Sequence, residues 1–247
     1  MKRMRFAFSF LTFLVFVFVY FTYVERAEEE EGKIESLKHT SKEVGESSTY
    51  IPHRVRATAT QTGAWELPNG YEYYFDESLA YAMVQHFRKE KKTWGRPKVL
   101  EFGSGTGKYV NYFRANKISA RGYDGVSDIN RRSGGVVSYV DLTDQVSVGS
   151  ADFVVCLEVA EHIPKIYEEI FLKNILTHCK HSLILSWAPP SQGGVGHVNM
   201  MERADVIDLL STKGFHFNED ATSLLLYAAV LPWFKKNLLV FEKNGQY

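Results

Sequence analysis

The longest apolar run in the chain, Phe6–Val24, holds 19 residues with no charge and seven phenylalanines. At about 1.5 Å per residue a helix of that length spans roughly 28 Å, the hydrocarbon thickness of a bilayer. The pattern therefore predicts a single transmembrane helix. Lys2, Arg3 and Arg5 precede it and the acidic run ERAEEEE follows, an asymmetry that keeps the N-terminus in the cytosol. A cleaved signal peptide is the competing reading. Its apolar core is normally shorter, and Glu25 stands where a small residue is wanted. From Glu25 to about Gly63 the chain is rich in Glu, Lys, Ser and Thr with little periodicity, which predicts a flexible polar stem.

Beyond Gly63 the apolar positions switch between helical and strand spacing. Trp65, Tyr71, Tyr73, Tyr74 and Phe75 cluster, as a lid or as plain packing, before a helix over Glu77–Lys91 in which Leu79, Met83, Val84 and Phe87 share a face. Val99–Phe102 suits a buried parallel strand, and Lys108–Ala115 a helix presenting Tyr109, Tyr112 and Phe113. Strand-like runs recur at Ala120–Tyr123, Val136–Val140, Phe153–Leu157, Ser182–Trp187, Phe215–Phe217 and Leu238–Phe241. Helices are predicted after Pro164, with Ile166, Tyr167, Ile170, Phe171 and Ile175 on one face, and over Ala204–Lys213, closed by Gly214. This alternation is that of an α/β domain. The expected divisions are 1–24, cytosolic tip and anchor; 25–63, stem; and 64–247, one catalytic domain.

Composition narrows the picture only a little. With 247 residues, 45% of them apolar, the chain can fill one core. Its 29 basic and 29 acidic residues cancel, so no global field favours nucleic acid, and none is expected as a partner. Cys156 falls in a predicted strand and Cys179 just past a helix, which argues against a disulfide framework.

The chemistry is concentrated in the turn EFGSGTG, where Gly103, Gly105 and Gly107 follow Glu101 at the carboxyl end of the first strand. Open α/β sheets bind ligands at that place. Asp124 lies 21 positions after Gly103, at the end of the next strand, the distance at which a βαβ unit delivers a carboxylate to a ribose. The G-x-G-x-G spacing, with an acid before it, differs from the G-x-G-x-x-G of a dinucleotide turn.

Together with VDLTD at Val140–Asp144 and ADFVVCLEVAEHIP at Ala151–Pro164, these residues resemble the class I S-adenosylmethionine-dependent methyltransferases over Trp65–Lys243. The resemblance implies a Rossmann-like seven-stranded methyltransferase sheet with helices on both faces and a reversed final strand, here preceded by the N-terminal transmembrane helix. It implies S-adenosyl-L-methionine as cofactor, with Glu101, Gly103, Gly105 and Gly107 along its methionine part and Asp124 on the ribose hydroxyls. Asp141 would face the exocyclic amine of the adenine and Leu142 the ring. Glu158, at the end of the fourth strand, is expected to touch the cofactor or to cap a helix.

Methyl transfer from a sulfonium is served largely by holding the acceptor in line, but a hydroxyl acceptor must also lose a proton. Candidates for that work are Glu161 and His162 past the fourth strand and His197 in the loop PPSQGGVGHVNM, where Pro189, Pro190 and Gln192 shape a wall and Asn199 can orient an acceptor. The bland alternatives are a helix-end carboxylate for Glu161 and a structural hydrogen bond for His162. In the ubiquinone-pathway O-methyltransferases and the small-RNA end methyltransferases an E-x-x-E-H group at this point holds a divalent cation, and the latter add a further histidine. Glu158, Glu161, His162 and His197 match that arrangement, yet similar text occurs in metal-free relatives, and no metal ligand is assigned from sequence.

The expected function is a methyltransferase acting on a small-molecule acceptor at oxygen, with nitrogen next. The alternatives are methylation of a protein or lipid head group near the bilayer and a catalytically silent binding module. The expected location is a single-pass membrane protein of the endoplasmic reticulum or Golgi. The charge asymmetry places the domain in the lumen, whereas the cofactor is made in the cytosol.

Overall fold

The computed structural model describes residues 32–38, 57–68, 73–90 and 95–245. The expected anchor, 1–24, and most of the expected stem lie outside the described residues. No helix among the described residues is long and apolar enough to cross a membrane.

Seven strands form one sheet: β3 (Lys98–Phe102), β4 (Ser119–Asp124), β5 (Val137–Tyr139), β6 (Ala151–Cys156), β7 (Cys179–Ser186), β8 (Phe215–Phe217) and β9 (Leu238–Lys243). Their order is β5-β4-β3-β6-β7-β9-β8. The first five are parallel, while β9 runs antiparallel to both β7 and β8. The reversed final strand is thus present, inserted between the fifth and sixth.

Side-chain alternation explains why the central strands are buried on both faces. Val99, Phe153, Val155, Ile184 and Val240 point to one core layer, while Leu100, Phe102, Val154, Leu183, Leu185 and Phe241 point to the other. The first layer is closed by α2 (Glu77–Glu90), α3 (Lys108–Ala115) and α7 (Glu219–Ala228). The second is closed by α5 (Glu168–His178) and α6 (Arg203–Thr212). A four-residue α4 (Ile129–Arg132) follows β4, and a four-residue α8 (Phe234–Asn237) precedes β9.

Several elements differ from the sequence expectation. The helix expected at Pro164 opens as a 3-10 turn, Lys165–Tyr167, and becomes α-helical only at Glu168. Within the stretch expected to be a flexible stem, residues 32–38 form a helix, α1. Ile34 is buried in the first core layer, and the Lys38 ammonium lies 3.6 Å from the centre of the Tyr227 ring on α7. A two-residue hairpin, β1 (Thr58–Ala59) and β2 (Trp65–Glu66), then leads the chain across the carboxyl ends of the strands.

Candidate functional site

The glycine turn is built by β3 and β4 together. The amides of Gly103 and Ser104 both donate to Tyr123 O, at 2.8 and 3.0 Å, which folds the turn back over the end of β4. Gly103 and Gly105 have φ of 78° and 52°, the left-handed region that glycine enters freely. A Cβ on Gly103 would lie 2.1 Å from Val159 Cγ2, and one on Gly105 would lie 2.7 Å from the Tyr73 ring. Gly107 has a different job: a Cβ there would strike Val136 and Val137, so it seats α3 against β5 and lines neither cavity described below. Asp124 closes the turn, its carboxylate accepting from the amides of Gly105 at 2.8 Å and Val126 at 3.0 Å.

Two cavities meet at this turn. The smaller, about 60 Å³, is lined by Gly103, Asp124, Asp141 and Leu142 and roofed by Gly63, Ala64 and Trp65. The larger, about 330 Å³, has Glu101, Gly103 and Gly105 on one side. Tyr73, Tyr74, Trp233, His162 and His197 face them. Trp65, Gly103, Glu158 and His162 border both. The residues expected to hold the ribose and adenine therefore gather in one cavity, and those expected near the reacting centre, apart from Glu161, in the other. The roof is tied down by Arg132, which donates to Leu67 O at 2.7 Å, and by the Tyr73 hydroxyl, which donates to Trp65 O at 2.7 Å. Gly63 sits so close to the His162 carbonyl that a Cβ would approach it to 2.4 Å.

Burial sets the charge state of the floor. Glu101 is 3% exposed, with Oε2 unpartnered; burial, reinforced by Asp124, pushes it up from 4.5 to about 8. Burial also raises Asp124, against the pull of its amide partners. Glu158 is raised by burial too, opposed by Ser186 and Asn237, both of which donate to its Oε1. Glu161 is fully buried, and burial followed by the charge of Glu158 drives it well above the carboxylate range. Neither of its oxygens meets hydrogen-bond geometry with any group among the described residues, although its own amide and that of Ala188 lie near enough to favour the charged form.

The loop after β7 is positioned by that same residue. The amides of Val198 and Asn199 both donate to Glu161 O, at 2.9 and 3.0 Å, which brings His197 to His162 with ring centres 5.0 Å apart. His162 Nδ1 lies 3.1 Å from Gly196 O, and His197 Nδ1 3.2 Å from Gln192 O. A carbonyl can only accept, so each ring carries its hydrogen on Nδ1 and presents a lone pair at Nε2. Burial lowers both imidazoles, His162 to about 4. Asn199 is a correction to the sequence reading. Its side chain is buried and donates to Glu168 at 2.9 Å, and its carbonyl accepts from Trp187 Nε1 at 2.6 Å; it anchors the loop and does not line the cavity.

Ligand atoms of Glu161, His162 and His197 lie within 4.8 Å of one another. A carboxylate without a partner beside two neutral imidazoles is a donor set that suits a divalent transition metal. Glu158 does not join that group, because Ser186 and Asn237 hold its carboxylate elsewhere. Ser186, Asn237 and Trp233 were not singled out from sequence; each is placed by sheet order, which local spacing does not reveal.

A methyltransferase-domain family model matches residues 70–220. No curated protein matches the sequence. Among solved structures, an S-adenosylmethionine-bound amino pentose methyltransferase from Micromonospora echinaspora aligns at 14% identity. It covers 71% of this chain and 100% of its own, with a TM-score of 0.52. A small RNA methyltransferase aligns at 15% identity over 74% of this chain and 28% of its own, with a TM-score of 0.51. Magnesium protoporphyrin IX methyltransferase from Synechocystis PCC 6803, with the cofactor bound, aligns at 17% identity over 67% of this chain and 78% of its own, with a TM-score of 0.49.

Proposed function

The chain belongs to the methyltransferase-domain family, and from that premise we propose that this S-adenosylmethionine-dependent enzyme methylates a small-molecule acceptor at oxygen. The adenosine lies against Asp124, Asp141 and Leu142, where the smaller cavity, at about 60 Å³, admits it only with the Gly63–Trp65 roof displaced, and the methionine end runs along Glu101, Gly103 and Gly105 into the larger. The sulfonium methyl then faces the wall carrying His162 and His197. The observation that carries the reading is the pair of neutral imidazoles lining that cavity, their Nδ1 hydrogens taken by the Gly196 and Gln192 carbonyls. His197, the more open of the two rings, takes the acceptor's hydroxyl proton as the oxygen attacks the methyl carbon; His162 packs edge-to-face against it and sets its orientation. The test is transfer of labelled methyl from the cofactor to hydroxylated acceptors. His197→Ala should lower kcat by about 10²- to 10⁴-fold, the usual worth of a positioned base, while S-adenosylhomocysteine affinity is unchanged. Equal kcat in the variant would remove His197 from the mechanism.

The partnerless Glu161 carboxylate favours a second reading of the same wall, in which Glu161, His162 and His197 hold a divalent ion. Such an ion would lower the pKa of an acceptor hydroxyl and so replace the base. We further propose that Phe6–Val24 holds the enzyme at a membrane, on the strength of its uncharged length.

A further inference from the structure

Glu158 is held more tightly than the end of a strand requires. Its φ of 55° is left-handed, a conformation that costs a non-glycine residue energy and persists where the surroundings enforce it. The Glu158 amide donates to Ser186 Oγ at 2.6 Å, and that hydroxyl donates back to Oε1 at 2.8 Å. Asn237 Nδ2 donates to the same oxygen at 2.7 Å. Ser186 ends β7 and Asn237 ends α8, so two elements far apart in sequence clamp one side of this carboxylate. No described residue hydrogen-bonds the other oxygen, although Glu158 borders both cavities.

The rest of the larger cavity says what could meet that oxygen. Trp65, Tyr74, Trp233 and Phe234 supply aromatic surface, and no Lys or Arg is among the described residues lining either cavity. The two imidazoles present lone pairs, so they too accept. At about 330 Å³ the space is at the small end of small-molecule pockets, about 300–1,000 Å³, and the methionine end of the cofactor must share it. A negatively charged acceptor entering here would lose its water with no Lys or Arg to pair with, and the donors that remain, such as the unpartnered Trp65 indole N–H, are neutral and are shared with the cofactor's own carboxylate.

We propose that Glu158, clamped by Ser186 and Asn237, anchors the acceptor through its free oxygen, and that the acceptor is a compact hydroxylated aromatic ring bearing no negative charge. This rests on the reading of the larger cavity as the methyl-acceptor site. Asn237 and Ser186 are positioning residues: they act through Glu158 and do not touch the acceptor.

The experiment measures binding of p-cresol, tyramine and 4-hydroxyphenylacetate to the full chain in detergent, loaded with S-adenosylhomocysteine. p-Cresol and tyramine should bind, with 4-hydroxyphenylacetate at least tenfold weaker. Glu158→Gln and Asn237→Ala should each weaken p-cresol at least fivefold and leave S-adenosylhomocysteine affinity within twofold. Combining them should do no more than Glu158→Gln alone, a non-additivity that a merely structural role for Asn237 would not produce. Binding of 4-hydroxyphenylacetate as tight as that of p-cresol overturns the proposal. So does failure of all three probes on a protein that holds S-adenosylhomocysteine, or a tenfold loss of S-adenosylhomocysteine affinity in Glu158→Gln. A parent chain that binds no S-adenosylhomocysteine would instead defeat the proposed function itself.

Discussion

The ring of Tyr73 stands where a side chain on Gly105 would have to go: a Cβ there would lie 2.7 Å from Tyr73 Cγ and Cδ2. Since the Tyr73 hydroxyl also donates to Trp65 O, the glycine turn and the roof of the site are one assembly. Gly105→Val forces a β-branched residue into φ near 52°, at about 1–2 kcal/mol, and pushes Tyr73 and the roof outward. The expected outcome is a somewhat less stable protein whose S-adenosylhomocysteine affinity has fallen at least tenfold by calorimetry. Unchanged affinity would place the cofactor elsewhere.

Asp124 tests the ribose end separately. Its carboxylate satisfies the Gly105 and Val126 amides, and in the proposed site it would also receive ribose hydroxyls. Each charged hydrogen bond is worth roughly 1.5–3 kcal/mol, so Asp124→Ala should weaken cofactor binding by one to two orders of magnitude, with far-ultraviolet circular dichroism unchanged. Parent-like affinity in Asp124→Ala would refute the assignment.

Much of this was legible in the chain. Short apolar runs marked the strands, and G-x-G-x-G with Asp124 marked the turn, because those signals are local. α7 left no clean stripe, since Leu224 and Tyr227 stay exposed on an otherwise apolar helix. The clamp on Glu158 was invisible for a different reason. Ser186 and Asn237 meet it only because β9 inserts beside β7, a property of sheet order that no window of sequence contains.

Glu101 predicts a pH dependence of stability. The folded protein keeps its proton up to pH about 8, whereas the unfolded chain releases it near 4.5. Between those values the folded state binds more protons, so stability falls as pH rises through the window, by roughly a few kcal/mol at most. Raised Asp124 acts in the same direction. Thermal melts of the cofactor-free protein should therefore drop from pH 5.5 to pH 8, and Glu101→Gln should flatten the decline. An identical slope in the variant would show that Glu101 ionises normally.

The uncharged run Phe6–Val24 predicts that the full chain stays with membranes through carbonate extraction. Removing residues 1–24 should release a soluble domain that still binds S-adenosylhomocysteine, since the sheet and both cavities begin well beyond that point. A mature chain starting near Glu28 would reveal a cleaved signal instead.

Glu161 decides between the two readings of the catalytic wall. A carboxylate with no exposed surface and no hydrogen bond cannot hold its charge alone; it takes a proton, or it takes a cation. Protonated, it is a neutral filler behind the histidines, and Glu161→Gln, which adds one more unpaired buried donor, should lower stability by about 1–3 kcal/mol. Bound to an ion, it belongs with the imidazoles of His162 and His197, whose ligand atoms lie within 4.8 Å of its own. Titrating Mn²⁺ or Zn²⁺ into chelator-treated protein should then raise its melting temperature, and Glu161→Gln or His197→Ala should abolish that rise while sparing S-adenosylhomocysteine binding. Methyl transfer should follow the same pattern, lost in excess EDTA and restored by the ion. Full activity in EDTA, with no metal-dependent shift in melting, would dismiss the ion and leave His197 as the base.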